Sequence, residues 1–199
     1  MRVVILRHGT TELNKQGMIQ GSSVDPDLSK EGRAYAEKAA KNFDPSQFDA
    51  VYASPLKRAQ QTARTFVGDK TPIITDKRIE ELNYGSWDGK SSLEYRKKHP
   101  DAFNSKGLIN DNIYKYASDV EKREDFRKRI AAFFDDLYKE HANDTVLVVC
   151  HGVVSRMICA HFLTNGDIKY FDQMQNCGLA ELDINKEYGT LVYYNRVLA

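Results

Sequence analysis

Two histidines stand in the same sequence setting. His8 follows VVILR and precedes Gly9, and His151 follows TVLVVC and precedes Gly152. Each apolar run suits a buried strand, so each His-Gly pair falls where a strand ends. In open α/β sheets, ligands bind beyond the carboxyl ends of the strands. If the two strands are parallel neighbours, both imidazoles face one pocket, and each glycine lets the backbone approach a bound group. His151 also opens a helix, whose first amides and dipole favour an anion. Arg7 precedes His8, and Arg58 lies in the first turn of a helix that follows a strand over 49–53. Two guanidinium forks beside two imidazoles describe a phosphate site, because arginine presents planar, permanently charged donors that match phosphate oxygens. A neutral imidazole there could attack phosphorus and split a difficult hydrolysis into two displacements. The leaving oxygen needs a proton, and Glu80 or Glu81 is the local candidate.

Placing these residues requires strands alternating with helices. After the first strand, a loop with Gly17, Gly21 and Asp25-Pro26 leads to a helix from about Ser29 to Phe43. A strand over 49–54 follows. Ser54-Pro55 reads as the N-cap and first residue of the next helix, and TPIIT (71–75) as another short strand. Phe126, Ile130, Phe133, Phe134 and Leu137 mark an amphipathic helix from Asp119 to about His141. The strand 145–150, a helix over 153–163 and two strands near 179–184 and 190–197 complete the pattern. It predicts an α/β fold, a three-layer α/β/α sandwich with a mostly parallel central sheet. Residues 1–199 read as a single domain with an irregular, lid-like excursion at about 83–118.

Charge and composition narrow the function. Lys plus Arg number 29 against 28 for Asp plus Glu, a balance that offers no global field for nucleic acid or an anionic membrane. No apolar stretch reaches the roughly 20 residues of a membrane helix, and residues 1–6 are too short for a signal-peptide core. A soluble, cytoplasmic protein is expected. Cys150, Cys159 and Cys177 are odd in number and lack CxxC spacing, which suggests neither a disulfide framework nor a zinc cage. The expected partner is a small-molecule phosphate ester. No nucleic acid, membrane, metal or cofactor is expected, and the oligomeric state is unreadable.

With these residues in place, the chain resembles the histidine phosphatase superfamily, also called phosphoglycerate mutase-like. LRHGTTELN resembles its R-H-G signature, QGSSVDPDLSKEG (20–32) its Gly and Leu-Ser/Thr stretch, and YASPLKRAQQTA (52–63) its second-arginine segment. ELNYGSWDG (81–89) resembles its Glu and Trp-acid-Gly block, and VVCHGVVSR (148–156) its second-histidine block. The resemblance implies His8 as nucleophile and phosphohistidine, with Arg7, Arg58 and His151 binding phosphoryl oxygens. It implies Glu81, four residues before Gly85, as the acid and base. Asn14, Gln20, Gly21 and Gly152 match or adjoin positions that contact substrate or phosphate. Departures such as Thr10, Leu13 and Val120-Glu121-Lys122 touch none of the five catalytic positions.

Phosphatase activity is expected over the family's cofactor-dependent mutase activity, because LVYYNRV is followed too soon by Ala199 for a C-terminal tail that would exclude water. A non-catalytic phospholigand-binding module would not need His8 or Glu81. A metal hydrolase built on His8 and His151 would be betrayed by chelators. Lysines and aromatics interleaved over 86–118 read as a solvated face with packing aromatics.

Overall fold

In a computed structural model describing residues 1–199, the chain builds a six-stranded sheet. The elements are β1 (Arg2–Arg7), α1 (Glu12–Lys15), α2 (Lys30–Ala40), β2 (Ala50–Ala53), α3 (Lys57–Val67), β3 (Ile74–Thr75), α4 (Ser92–Lys98), α5 (Arg123–His141), β4 (Thr145–Cys150), α6 (Gly152–Leu163), β5 (Leu179–Ile184) and β6 (Gly189–Arg196). Strand order is β3-β2-β4-β1-β5-β6. The first four run parallel, while β5 is antiparallel to β1 and β6 to β5.

The apolar run of β1 is continuous because both faces of the sheet are covered. Val3 and Ile5 enter one core with Val146, Val148 and Cys150 of β4, under Phe126, Ile130 and Phe133 of α5 and Val154 and Met157 of α6. Val4 and Leu6 point the other way with Leu147 and Val149, against Ala36 and Ala39 of α2 and Ala59, Ala63 and Phe66 of α3. The expected three-layer arrangement is therefore what alternation along two central strands produces.

Element ends differ from expectation for local reasons. Only Ile74–Thr75 of the 71–75 segment pairs in the sheet, against Tyr52 and Ala53. The helix expected from Asp119 begins at Arg123, since Asp119 adopts φ +58°. Ser54 is not the helix cap: α3 starts at Lys57 behind Leu56, and the Ser54 hydroxyl accepts from the Leu56 amide at 3.3 Å and pairs with His151.

Residues 83–118 hold α4 and three short 3-10 helices, at Gly85–Trp87, Pro100–Ala102 and Asp111–Lys115. Trp87, Ala102, Phe103 and Ile113 pack with Ile19 into a small separate core. His99 stacks against Trp87 at 5.6 Å and Tyr116 at 4.2 Å. No helix is long and apolar enough to cross a membrane.

Candidate active site

The parallel pairing of β1 with β4 sets Arg7 opposite Cys150, so the next residue of each strand, His8 and His151, lands side by side. The His8 amide donates to the Cys150 carbonyl at 2.9 Å, and the two rings lie 5.2 Å apart. Both side chains are buried, at 3% and 0% exposure. His8 Nδ1 lies 2.7 Å from the Gly9 carbonyl, which can only accept. Nδ1 therefore carries the proton, and Nε2 keeps its lone pair. Burial, then the charges of Arg7 and Arg58, push the His8 pKa well below the usual imidazole value. The ring is neutral at pH 7, the form a nucleophile requires.

His151 has both nitrogens engaged. Arg58 Nε donates to Nδ1 at 3.2 Å, so the ring proton resides on Nε2 and points to Ser54 Oγ at 2.7 Å. Burial and Arg58 hold the His151 pKa well below its usual value. Arg58, on α3, is fully buried. Its other nitrogens donate to the carbonyls of Val24 at 2.8 Å and Gly21 at 3.1 Å. Three bonds to uncharged acceptors leave its positive charge without a counter-ion and two N–H groups without these partners. Thr62 ties the assembly, accepting from the Gly9 amide and donating to the Arg58 carbonyl.

Of the two candidate acids, Glu81 is buried at 5% exposure and Glu80 is half-buried. Glu81 Oε1 accepts from the Leu82 amide at 2.9 Å and Oε2 from the Val153 amide, in the first turn of α6, at 3.1 Å. Burial nevertheless dominates these amides and the nearby arginines, raising the Glu81 pKa. The inward aim is braced from behind: Arg129 pairs with Glu121 at 2.6 Å and donates to the carbonyls of Glu80 and Glu81.

A cavity of about 230 Å³ brings Arg7, His8, Asn14, Gln20 and Glu81 into one lining. Arg58, His151, Gly21 and Gly152 lie outside that lining: His151 adjoins it through His8, Arg58 through His151, and the two glycines are chain neighbours of the lining residues Gln20 and Val153. Gly21 is required by close approach, since a Cβ there would sit 2.3 Å from Asp88 Oδ1 and 2.4 Å from the Leu82 carbonyl. At Gly152 a Cβ would meet the Gln173 amide at 2.0 Å. Asn14 closes a capping box with Thr11 at the start of α1, and Gln20 Oε1 accepts from Thr11 Oγ1. Arg7 donates one Nη to the Met174 carbonyl, and its Nε is buried without a partner.

The wall also contains Tyr84, Arg156 and Gln173. Sequence reasoning assigned none of these, nor Ser54. Arg156 had a signal, five residues after His151 in VVCHGVVSR, while Gln173 sits in an irregular segment with no periodicity to read. No group of three or more His, Cys, Asp or Glu side chains is arranged to hold a metal ion.

The family model described as the histidine phosphatase superfamily (branch 1) matches residues 3–197. Phosphoserine phosphatase 1 of Hydrogenobacter thermophilus is 32% identical over 162 residues, covering 80% of this chain and 75% of its own. The adenosylcobalamin/alpha-ribazole phosphatase of Escherichia coli is 27% identical over 197 residues, covering 98% and 96%. The crystal structure of the alpha-ribazole phosphatase from Shigella flexneri superposes with a TM-score of 0.82 at 26% identity, covering 98% of this chain and 96% of that one.

Proposed function

The chain belongs to the histidine phosphatase superfamily, and we propose that it hydrolyses phosphomonoesters of small metabolites through a phosphohistidine formed on His8. The observation that carries this reading is the opposed tuning of two groups in one cavity. His8 is held neutral with Nε2 free, and Glu81 is pushed toward its protonated form. Groups whose environments drive their pKa values in functional directions mark acid and nucleophile.

In the first step His8 Nε2 attacks phosphorus, and the bond from phosphorus to the ester oxygen breaks. Glu81 gives its proton to the departing alkoxide, so a neutral alcohol leaves and a carboxylate remains. In the second step water attacks the phosphohistidine, its proton passes to Glu81, and the P–N bond breaks to release inorganic phosphate. Arg7 and Arg58 stabilise the charge on the three equatorial oxygens. His151, which the resemblance implies as a ligand of the phosphoryl oxygens, here has both ring nitrogens engaged by Arg58 and Ser54, so in this arrangement it acts by fixing the Arg58 fork beside His8. With two guanidinium groups in this role, the reaction needs no metal or other cofactor.

Asn14 and Gln20 line the site, Gly21 and Gly152 adjoin the lining residues Gln20 and Val153, and the 83–118 segment supplies Ser92, Gly107, Leu108 and Ile109 to the lining. We assign the protein to a reducing, cytoplasmic compartment, because its three cysteines are free and buried and lack the spacing of a disulfide framework.

The test is trapping. Brief exposure to a labelled substrate should leave acid-labile, base-stable label on the peptide containing residues 3–14, and turnover should persist in EDTA. Label elsewhere, turnover surviving His8→Ala, or activity restored only by a divalent metal would overturn the mechanism.

A further inference from the structure

Arg156 is an arginine without a counter-ion. It lies on α6, is 3% exposed, and lines both the active-site cavity and a neighbouring cavity of about 360 Å³ that shares Ile109 with it. Its Nε and Nη2 donate to the backbone carbonyls of Phe171 at 2.8 Å and Ile168 at 3.0 Å. Those bonds fix the plane of the guanidinium but do not neutralise it. Arg123, at the start of α5, lines the second cavity. Its Nε and Nη2 both reach Asp111 Oδ1, and its Nη1 is buried with no partner.

Every other charge around the two cavities is accounted for. Glu81 belongs to the phosphoryl chemistry, Asp111 is bound by Arg123, and Asp167 pairs with Lys169 at 2.7 Å. No acid is left for Arg156, and the like charge of Arg123 adds to the cost of its burial. Burying an unpaired charge is expensive unless an opposite charge arrives. Arginine is also the side chain best matched to carboxylate or phosphate oxygens.

We propose that Arg156 and Arg123 form a second anion subsite beside the phosphoryl site, and that the substrate is a phosphomonoester whose alcohol part carries a carboxylate or a second phosphate. This inference rests on the phosphatase reading above. The wall of the phosphoryl cavity, which Arg156 also lines, offers one unpartnered acceptor, Gln173 Oε1, and one unpartnered donor, Gln20 Nε2. They suit a hydroxyl or amino group on the linking carbons.

Matched substrate pairs test it. kcat/KM is measured for 3-phosphoglycerate against glycerol 1-phosphate, which differ by a carboxylate, and for fructose 1,6-bisphosphate against fructose 6-phosphate, which differ by a phosphate. The protein should favour the doubly anionic member of at least one pair by about 10- to 100-fold, the range expected of charge-assisted hydrogen bonds. Which pair shows the preference identifies the anion. In Arg123→Gln, chosen because this partly exposed side chain can be lost without opening the core, the ratio should shrink at least about 3-fold. Arg156→Lys should shrink it too. A purely structural role for these arginines would lower both members of a pair together and leave the ratio unchanged, and that overturns the proposal. Equal rates within both pairs for the unaltered protein overturn the subsite while leaving the phosphatase intact. No hydrolysis of any ester overturns both.

Discussion

Replacing Glu81 by Gln separates its chemical role from its structural one. Both carboxylate oxygens accept backbone amides, Leu82 at 2.9 Å and Val153 at 3.1 Å. A glutamine has one carbonyl oxygen, so its NH2 must face one of those N–H groups and leave it unpaired, a loss of about 1–3 kcal/mol. Part of this is offset, because the raised pKa means the folded protein disfavours the ionised carboxylate, and glutamine carries no charge. Stability should therefore fall modestly, by roughly 1–2 kcal/mol at pH 7. The catalytic loss should be larger and should depend on the leaving group. An alkoxide needs its proton, so the first step for a sugar phosphate should slow by about 10²- to 10⁴-fold. p-Nitrophenolate leaves readily without one, and its ester should slow far less. Rapid-quench measurement of phosphohistidine formation isolates that step from the later attack of water, in which the same carboxylate takes a proton. Equal slowing of both esters would refute Glu81 as the proton donor. A larger effect from Glu80→Gln would do the same, since Glu80 is half-buried and lies outside the cavity wall.

Ser54→Ala should strand the buried His151 Nε2–H, costing about 1–3 kcal/mol in urea unfolding and lowering kcat/KM roughly 10-fold as the Arg58 fork loosens. An unchanged kcat/KM would detach Ser54 from the site. Gly21→Ala should cost about 1–3 kcal/mol, because its Cβ would overlap Asp88 and the Leu82 carbonyl, and an unaltered unfolding midpoint would contradict that contact. His8 and His151 have folded pKa values well below 6.5, so the unfolded chain binds their protons first as pH falls. Their contribution to stability should be complete above about pH 6.5 and decline below it, toward a slope of roughly 2.7 kcal/mol per pH unit for the pair. His8→Asn should about halve that slope, and an unchanged slope would show that the imidazole is not held neutral. With 3-phosphoglycerate and a trace of 2,3-bisphosphoglycerate, phosphate release should outrun isomerisation. The reverse would make the protein a mutase.

What was legible in the sequence follows from which forces are local. VVIL and VLVV announce buried central strands because both sheet faces are covered, and the residues after them could be placed at one edge before any contact was known. The residues alone left Glu80 and Glu81 open; the family resemblance, through ELNYGSWDG, implied Glu81, which lines the cavity while Glu80 does not. Ser54 was misread because Ser-Pro is a helix-start signal, whereas a partner nearly a hundred residues away claims the hydroxyl. Arg58 could be placed at a strand's carboxyl end from its position in the helix after it, but helical periodicity does not disclose that His151 and two loop carbonyls surround it. Arg156 had a signal in its distance from His151, whereas Gln173 becomes meaningful only when the loop after α6 folds against the cavity, a tertiary event without periodic trace.

The place of β1 in the sheet has a consequence for synthesis on the ribosome. This first strand pairs only with β4 and β5, whose first paired residue, Thr145, follows Arg7 by roughly 140 residues. At about 5–20 residues per second the nascent strand waits on the order of 7–28 s for either neighbour. During that wait VVIL, wholly buried once folded, is an apolar segment with open edges on both sides, the kind of stretch that recruits chaperones or aggregates. The phosphoryl site shares the delay, since His8 has no His151 beside it until β4 is made, however early α2 and α3 form. Ribosome-stalled chains of increasing length should acquire vanadate binding abruptly, only after residue 184 has cleared the exit tunnel. Binding by a chain stalled before β4 would show that the site assembles without its central strand pair.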